Sequence, residues 1–209
     1  MHTLHCRRRS LLAATAALVL PFARPGRAAA SDAVIQPIQQ LNDGLLQIMK
    51  AGRTASFEQR FEMLGPIIDR TFDLQTILEE SVGPHWAGLS PADQDLLRQA
   101  FRRYTVASYV NSFDQYEGQR FEVKPDTRPV GANVQVVQTQ IIPRKGASHE
   151  LDYVMHQAQD GWRAVDVLAD GSVSRVAVQR SDFRRLITRG GAQALANSLR
   201  TKSANLSNG

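Results

Sequence analysis

The sequence is poor in cysteine, with Cys6 alone among 209 residues. One thiol excludes an intramolecular disulfide, and it excludes the cysteine clusters that hold structural zinc or iron–sulfur groups. Cys6 also precedes an apolar run near the amino terminus, in a segment that we predict is removed. The mature chain is therefore expected to contain no thiol chemistry.

Long apolar runs are lacking as well. The longest, Leu11–Leu20, is shorter than the roughly 20 residues that a membrane-spanning helix needs. The basic stretch Arg7–Arg9 precedes it and the small residues Ala28–Ala30 follow. This order predicts an export signal peptide over residues 1–30, cleaved before Ser31, and its paired arginines resemble a twin-arginine signal. A membrane anchor is the alternative, which the prolines that end the run disfavour.

Removing that segment leaves no excess of charge. The chain has 25 basic and 20 acidic residues, and the first thirty residues hold five arginines and no acid. The predicted mature chain thus has 20 of each sign. Without a basic excess there is no counterion-release drive toward nucleic acid, so nucleic acid is not expected as a partner.

The apolar periodicity of the remaining chain predicts helices, then strands, then helices. Apolar residues at helical spacing predict a first helix over 32–50. Ser56, Asp73 and Ser90 each stand where an N-cap would begin a further helix, and the helix after Ser90 is expected to reach about Tyr116.

From Phe121 the apolar period changes to two, which predicts an antiparallel meander of about four strands. Helical spacing returns after Gly171 and is interrupted at Gly190-Gly191. We predict an α+β fold in one domain over residues 31–202, with several helices wrapped on the sheet. The Ser/Asn-rich residues 203–209 are predicted to form a disordered tail.

Groups for catalysis are scarce. His85, His149 and His156 are not spaced as a helical metal site, so neither a metal nor another cofactor is expected. No nucleophile elbow, phosphate loop or dinucleotide fingerprint occurs. Asp166, between two strand valines, could act as a buried general base, but an acid hydrogen-bonded to nearby backbone or arginine is the favoured interpretation. The pattern predicts a protein that is not an enzyme.

An ordered set of short motifs resembles a known family. The sequence is similar to the MlaC / toluene-tolerance proteins, auxiliary components of lipid ABC transporters, and most similar to their hopanoid-biosynthesis-associated HpnM branch. The motifs that carry the likeness are Arg70-Thr71-Phe72-Asp73-Leu74, Val82-Gly83-Pro84-His85-Trp86, Leu89-Ser90-Pro91, Phe101-Arg102-Arg103-Tyr104, Gly161-Trp162-Arg163-Ala164-Val165-Asp166-Val167, Asp170-Gly171-Ser172 and Arg180-Ser181-Asp182-Phe183. One departure is Asp170-Gly171, where other members of the family tend to have Glu-Gly; it favours the hopanoid-linked branch.

The resemblance implies a cystatin/NTF2-like architecture with an apolar cavity between sheet and helices. It implies a periplasmic, non-enzymatic shuttle that carries a phospholipid or hopanoid-type lipid between membranes, the outer membrane among them, or between membrane-bound transporter components. Two alternatives remain: an NTF2-like enzyme that uses Asp166 as its base, and a periplasmic interaction module with a filled core.

The candidate cavity wall follows from apolar facing and motif position. On the helices it comprises Trp86, Tyr104, Ala107, Ser108, Val110, Val176, Phe183 and Ile187, and on the strands Val136, Val154, Val165 and Val167. Which sheet face points inward is left open by the sequence.

Overall fold

The computed structural model describes residues 27–208, so residues 1–26, which hold most of the predicted signal peptide, lie outside the described residues. Four helices precede the sheet and one follows it. They are α1 (Arg27–Ala51), α2 (Phe57–Thr71), α3 (Leu74–Val82), α4 (Pro91–Ser112) and α5 (Arg175–Ser207), with short 3₁₀ turns at Gly52–Thr54 and Gly83–Gly88. None of the helices in this range is long and apolar enough to cross a membrane.

The helix starts agree with the local sequence signals. Ser56 and Gln59 form a capping box at α2, the Asp73 carboxylate accepts the Thr76 N–H at 2.9 Å, and the Ser90 hydroxyl accepts the Asp93 N–H. Each satisfies an N–H that the first helical turn leaves without a partner. Helix α4 ends at Ser112, one turn earlier than predicted.

Helix α5 is interrupted at the expected glycines and extends further toward the carboxyl terminus than its sequence indicates. Gly190 and Gly191 leave the helical conformation, and Gly191 has a φ of 65°, which favours glycine. Beyond the break the helix continues through Ser207, so disorder was wrongly predicted for residues 203–207. Ser203 is buried and its hydroxyl donates to the Leu199 carbonyl at 2.8 Å, which shows that tertiary packing outweighs the polar composition of this segment.

The sheet is antiparallel and has six strands: β1 (Arg120–Val123), β2 (Arg128–Gly131), β3 (Val134–Ile142), β4 (His149–Ala158), β5 (Gly161–Ala169) and β6 (Val173–Ser174). Their order is β1-β3-β4-β5-β6, and β2 also pairs with β3. The antiparallel pairing was predicted with about four strands, and the three long strands β3, β4 and β5 carry the period of two on which that prediction depended; β2 and β6 are too short to show a period.

A bulge shifts the pairing of β4 with β5. Val154 pairs with Asp166, whereas the next residue, Met155, pairs with Ala164, so Val165 is an extra residue. A bulge of this kind interrupts the alternation of facing along a strand. Ala164 therefore faces the core, and Val167, three residues on, packs against the same core.

One apolar core fills the space between the sheet and the helices. Val137, Tyr153 and Met155 from the strands meet side chains from all five helices. Burial of this apolar surface is the main favourable contribution to folding. The fully buried helix residues include Val34, Ile38, Leu45, Leu64, Ile68, Leu78, Leu97, Val110 and Leu195.

Candidate functional site

A pocket of about 280 Å³ opens between the sheet and helices α3, α4 and α5. Its wall is formed at the carboxyl end of β5, the start of β4, and the faces that the three helices turn toward them. The lining residues are Phe72, Leu74, Ile77, Phe101, Tyr104, Thr105, Ser108, Tyr109, Ser112, Phe113, Leu151, Asp166, Val167, Ala169, Arg175, Val176 and Gln179.

One side of the pocket is apolar and aromatic. Phe72, which follows α2, is 3% exposed, and its ring lies 5.5 Å from that of Tyr109 and 6.2 Å from that of Tyr153. The backbone fixes this position because the Asp73 N–H donates to the Ala164 carbonyl at 2.9 Å. The α2–α3 connection is thereby held against β5, with the Phe72 ring directed into the space between sheet and helices.

The opposite side carries polar groups in a defined arrangement. Thr105, Ser108 and Ser112 line the pocket from α4 and are three and four residues apart, so they share one helix face. Arg175 and Gln179 line it from α5 at a spacing of four residues. The pocket is thus amphipathic, with an apolar wall on the sheet and α3 side and a polar edge where α4 and α5 meet.

Asp166 also lines the pocket, and its carboxylate accepts hydrogen bonds from backbone N–H groups. One oxygen accepts the Val167 N–H at 2.8 Å and the Val176 N–H at 3.1 Å; the other accepts the Ser174 hydroxyl. These bonds join β5 to the first turn of α5, where Ser174 is the N-cap. The interpretation of Asp166 as a hydrogen-bonded structural acid is confirmed by this geometry.

Two phenols lie side by side at the apolar wall: Tyr109 lines the pocket, and Tyr153 lies in the adjoining core. Burial raises the pKa of Tyr109 and of Tyr153 well above the ordinary phenol value, and a hydrogen bond between the two hydroxyls lowers the pKa of Tyr153 in part. Both phenols are consequently neutral at neutral pH.

This burial predicts an alkaline loss of stability. An unfolded tyrosine ionises near pH 10, whereas the folded pKa is higher, so the contribution is complete below about pH 10 and is lost as the pH rises above it. Tyr153→Phe should therefore lose less unfolding free energy than the wild type between about pH 9 and pH 11. Urea denaturation across that range measures the difference; parallel curves for the two proteins would refute the prediction.

Part of the predicted wall lines the pocket. Tyr104, Ser108, Val167 and Val176 do so. Four other predicted wall residues, Ala107, Val110, Phe183 and Ile187, are buried in the solid core instead. Trp86 packs against that core beneath the Arg98 guanidinium, away from the pocket. Helical periodicity marks an inward face but does not distinguish core from cavity wall.

Three predicted wall residues do not line the pocket, and two of them lie on the other sheet face. Val136 and Val154 pair with each other and alternate with the core residues Val137 and Tyr153, so they point away from the helices. Val165 is the extra residue of the bulge and does not pack against the core. Val136 and Val154 were assigned to the wall because the sequence does not show which sheet face points inward, whereas Val165 was misplaced because the bulge was not foreseen.

The sequence reasoning missed the residues at the ends of elements. Phe72, Leu74 and Phe113 stand at helix boundaries, where periodicity gives no facing. Phe72 lies next to the Asp73 cap, and a hydrophobic residue at that place often packs back on its helix, which is the one local signal that could have identified it.

His156 and Asp73 form the closest pairing of a histidine with an acid among the contacts that the described residues show. Within residues 27–208 no three His, Cys, Asp or Glu side chains are grouped as ligands. His156 places its Nε2 atom 3.0 Å from an Asp73 carboxylate oxygen, and that carboxylate already caps α3. The pair links β4 to the start of α3.

Comparison with known proteins gives two findings. The family model described as MlaC protein matches residues 39–201. The fold is similar to the solved structure of a phospholipid-binding protein from Ralstonia solanacearum in complex with a phospholipid, with a TM-score of 0.72 at 20% sequence identity, covering 83% of this chain and 98% of that one. At this identity the second likeness establishes the fold alone.

Proposed function

Because the chain belongs to the MlaC family, we propose that it is a periplasmic lipid carrier that holds acyl or polycyclic hydrocarbon in the pocket between the sheet and α3–α5. The observation that carries this proposal is the pocket itself, which has an apolar wall between the sheet and the helices and a polar edge beside it. The phospholipid bound by the structural neighbour supports it.

The physical need for such a pocket is clear. A lipid with about 30 tail methylenes, at about 0.8 kcal/mol each, would lose roughly 24 kcal/mol on moving its tails into water. Crossing an aqueous compartment unaided is therefore negligible. A carrier has only to replace most of that burial, which an apolar cavity does without acid, base or metal.

The pocket must widen to hold a whole lipid. Its volume of about 280 Å³ lies just below the roughly 300–1,000 Å³ typical of small-ligand pockets. The present volume suits part of one tail, so binding is expected to separate α5 or α3 from the sheet. A lipid-bound structure with a pocket still near its present volume and the tails inside would contradict this expectation.

The lipid and the partners are proposed on the family resemblance. We assign the chain to the hopanoid-linked HpnM branch, with a cystatin/NTF2-like fold, a signal-peptide route to the periplasm, and membrane-bound transporter components that load and unload it. Asp170 of the Asp170-Gly171 motif has a φ of 50°. Aspartate tolerates that conformation better than most side chains, so its choice over glutamate here has a backbone reason as well.

Lipid extraction tests the carrier proposal. The mature chain is purified from the periplasm without detergent, extracted with organic solvent, and the extract is identified by mass spectrometry. We expect a stoichiometric phospholipid or hopanoid, and transfer of a fluorescent lipid from donor to acceptor vesicles by the purified protein. Absence of both co-purified lipid and transfer would overturn the proposal and favour the filled-core interaction module.

A further inference from the structure

The pocket has few charged residues, and they differ in whether the protein itself already binds them. Among its lining residues only Asp166 and Arg175 carry a formal charge at neutral pH. Asp166 already accepts two backbone N–H groups and the Ser174 hydroxyl. Its lone pairs are thus largely occupied by the protein itself.

Arg175 differs from Asp166 in having no such partner. It forms no salt bridge with an acidic residue anywhere in the described range, although seven other arginine–carboxylate pairs occur there. It is the first residue of α5 and is exposed at the rim. Burial raises the pKa of Tyr109, which also lines the pocket, and the positive charge of Arg175 opposes that rise. The positive charge of the guanidinium is therefore felt by a group that lines the pocket, although the Arg175 side chain is exposed.

A second polar group at the same edge also lacks a partner. Thr105 lines the pocket from α4, and its buried hydroxyl oxygen has no hydrogen-bond partner in the described part of the chain. A buried hydroxyl without a partner costs free energy that a ligand oxygen can recover. Thr105 and Arg175 thus both offer donors along the polar edge of an otherwise apolar pocket.

We propose that Arg175 binds the phosphate of the lipid headgroup at the pocket rim, so that the carrier selects lipids with an anionic phosphate over neutral lipids with the same tails. The inference rests on the proposed carrier function and assigns a specificity residue to its site. A guanidinium donates two parallel hydrogen bonds to a phosphate, which a lysine ammonium cannot reproduce. Ser112 and the Gln179 amide offer donors to the ester oxygens at the same edge, and the Ser108 hydroxyl, which donates to the Tyr104 carbonyl, can still accept from a lipid hydroxyl.

The test compares two ligands that differ only in the phosphate. Dioctanoyl phosphatidic acid and dioctanoylglycerol are titrated into delipidated protein by calorimetry. The wild type should bind the phosphate-bearing lipid roughly tenfold or more tightly, the ratio expected from a hydrogen bond to a charged group. Arg175→Gln should remove that ratio and leave dioctanoylglycerol affinity unchanged, and Arg175→Lys should restore part of it.

Arg184→Gln is the matched control. Arg184 is exposed on the same helix, forms no salt bridge in the described range and does not line the pocket, so the same charge is lost without the proposed contact. The control should keep the wild-type ratio. Equal loss in both variants, or an equal fall in affinity for both lipids in Arg175→Gln, would overturn the role of Arg175 and leave the carrier function intact. Binding of neither lipid by the wild type would overturn the carrier function itself.

Discussion

Replacing Val167 by glutamate should abolish lipid binding while the protein remains folded. Val167 lines the pocket and packs against the apolar core, so the new carboxylate would lie where we place the lipid tails. An ionised carboxylate removed from water without a partner costs several kcal/mol, which corresponds to a loss of more than about a hundredfold in affinity. Detergent-free purification followed by native mass spectrometry measures the bound fraction.

The same strand supplies the matched control. Val165 is two residues away but is the extra residue of the β-bulge and does not pack against the core. Val165→Glu should therefore retain lipid at the wild-type level. If both variants retain lipid equally, Val167 does not line the lipid site. If both lose lipid equally, a charge at either position on β5 disrupts the site.

A pH titration separates a buried charge from simple misfolding. In an apolar pocket the pKa of the introduced glutamate is raised, because burial disfavours its charged form. Lowering the pH protonates it and should return part of the lipid binding to Val167→Glu. Binding that stays absent in acid, with an unchanged circular dichroism spectrum, would argue against the electrostatic explanation.

Phe72→Ala should lower stability strongly and enlarge the pocket. The ring is 3% exposed, contacts the rings of Tyr109 and Tyr153, and lines the pocket. Truncating a buried phenylalanine costs about 3–5 kcal/mol of unfolding free energy. Here the added space joins a cavity that lipid can fill, so lipid at about a hundredfold above its Kd should return roughly 2.7 kcal/mol.

Leu64→Ala provides the comparison for that effect. Leu64 is fully buried on α2 and does not line the pocket, so its removal leaves a cavity closed to lipid. Both variants should lose several kcal/mol in urea denaturation of the delipidated protein. The Kd for lipid should change in Phe72→Ala and stay at the wild-type value in Leu64→Ala; an equal change of Kd in both variants would contradict the placement of the pocket.

Local signals made the helix starts predictable. A cap such as Ser56 or Ser90 depends on three or four neighbouring residues, all visible in the sequence. The stripe of α1 was predictable for the same reason, since Ile38 and Leu45 repeat at helical spacing and both are fully buried. These features are set within one or two turns of chain.

Features that depend on distant residues were not predictable. The bulge at Val165 changes which side chains of β5 face the helices on either side of it. The local sequence pattern does not indicate that a bulge occurs there. Phe72 is directed inward because its neighbour, Asp73, donates its N–H to Ala164, more than ninety residues away. The last turns of α5 are helical because Ser203 is buried against other elements. In each case tertiary contact outweighs the local propensity.

The central claim is that lipid tails occupy the space between the sheet and helices α3–α5. Photocrosslinking tests it most directly: a phospholipid with a diazirine at the end of one tail is loaded into the protein, irradiated, and the labelled residues are identified by mass spectrometry. We predict labels on pocket-lining residues such as Phe72, Tyr104 and Val167, suppressed by excess unlabelled lipid. Labels confined to the outer sheet face at Val136 and Val154 would contradict the claim.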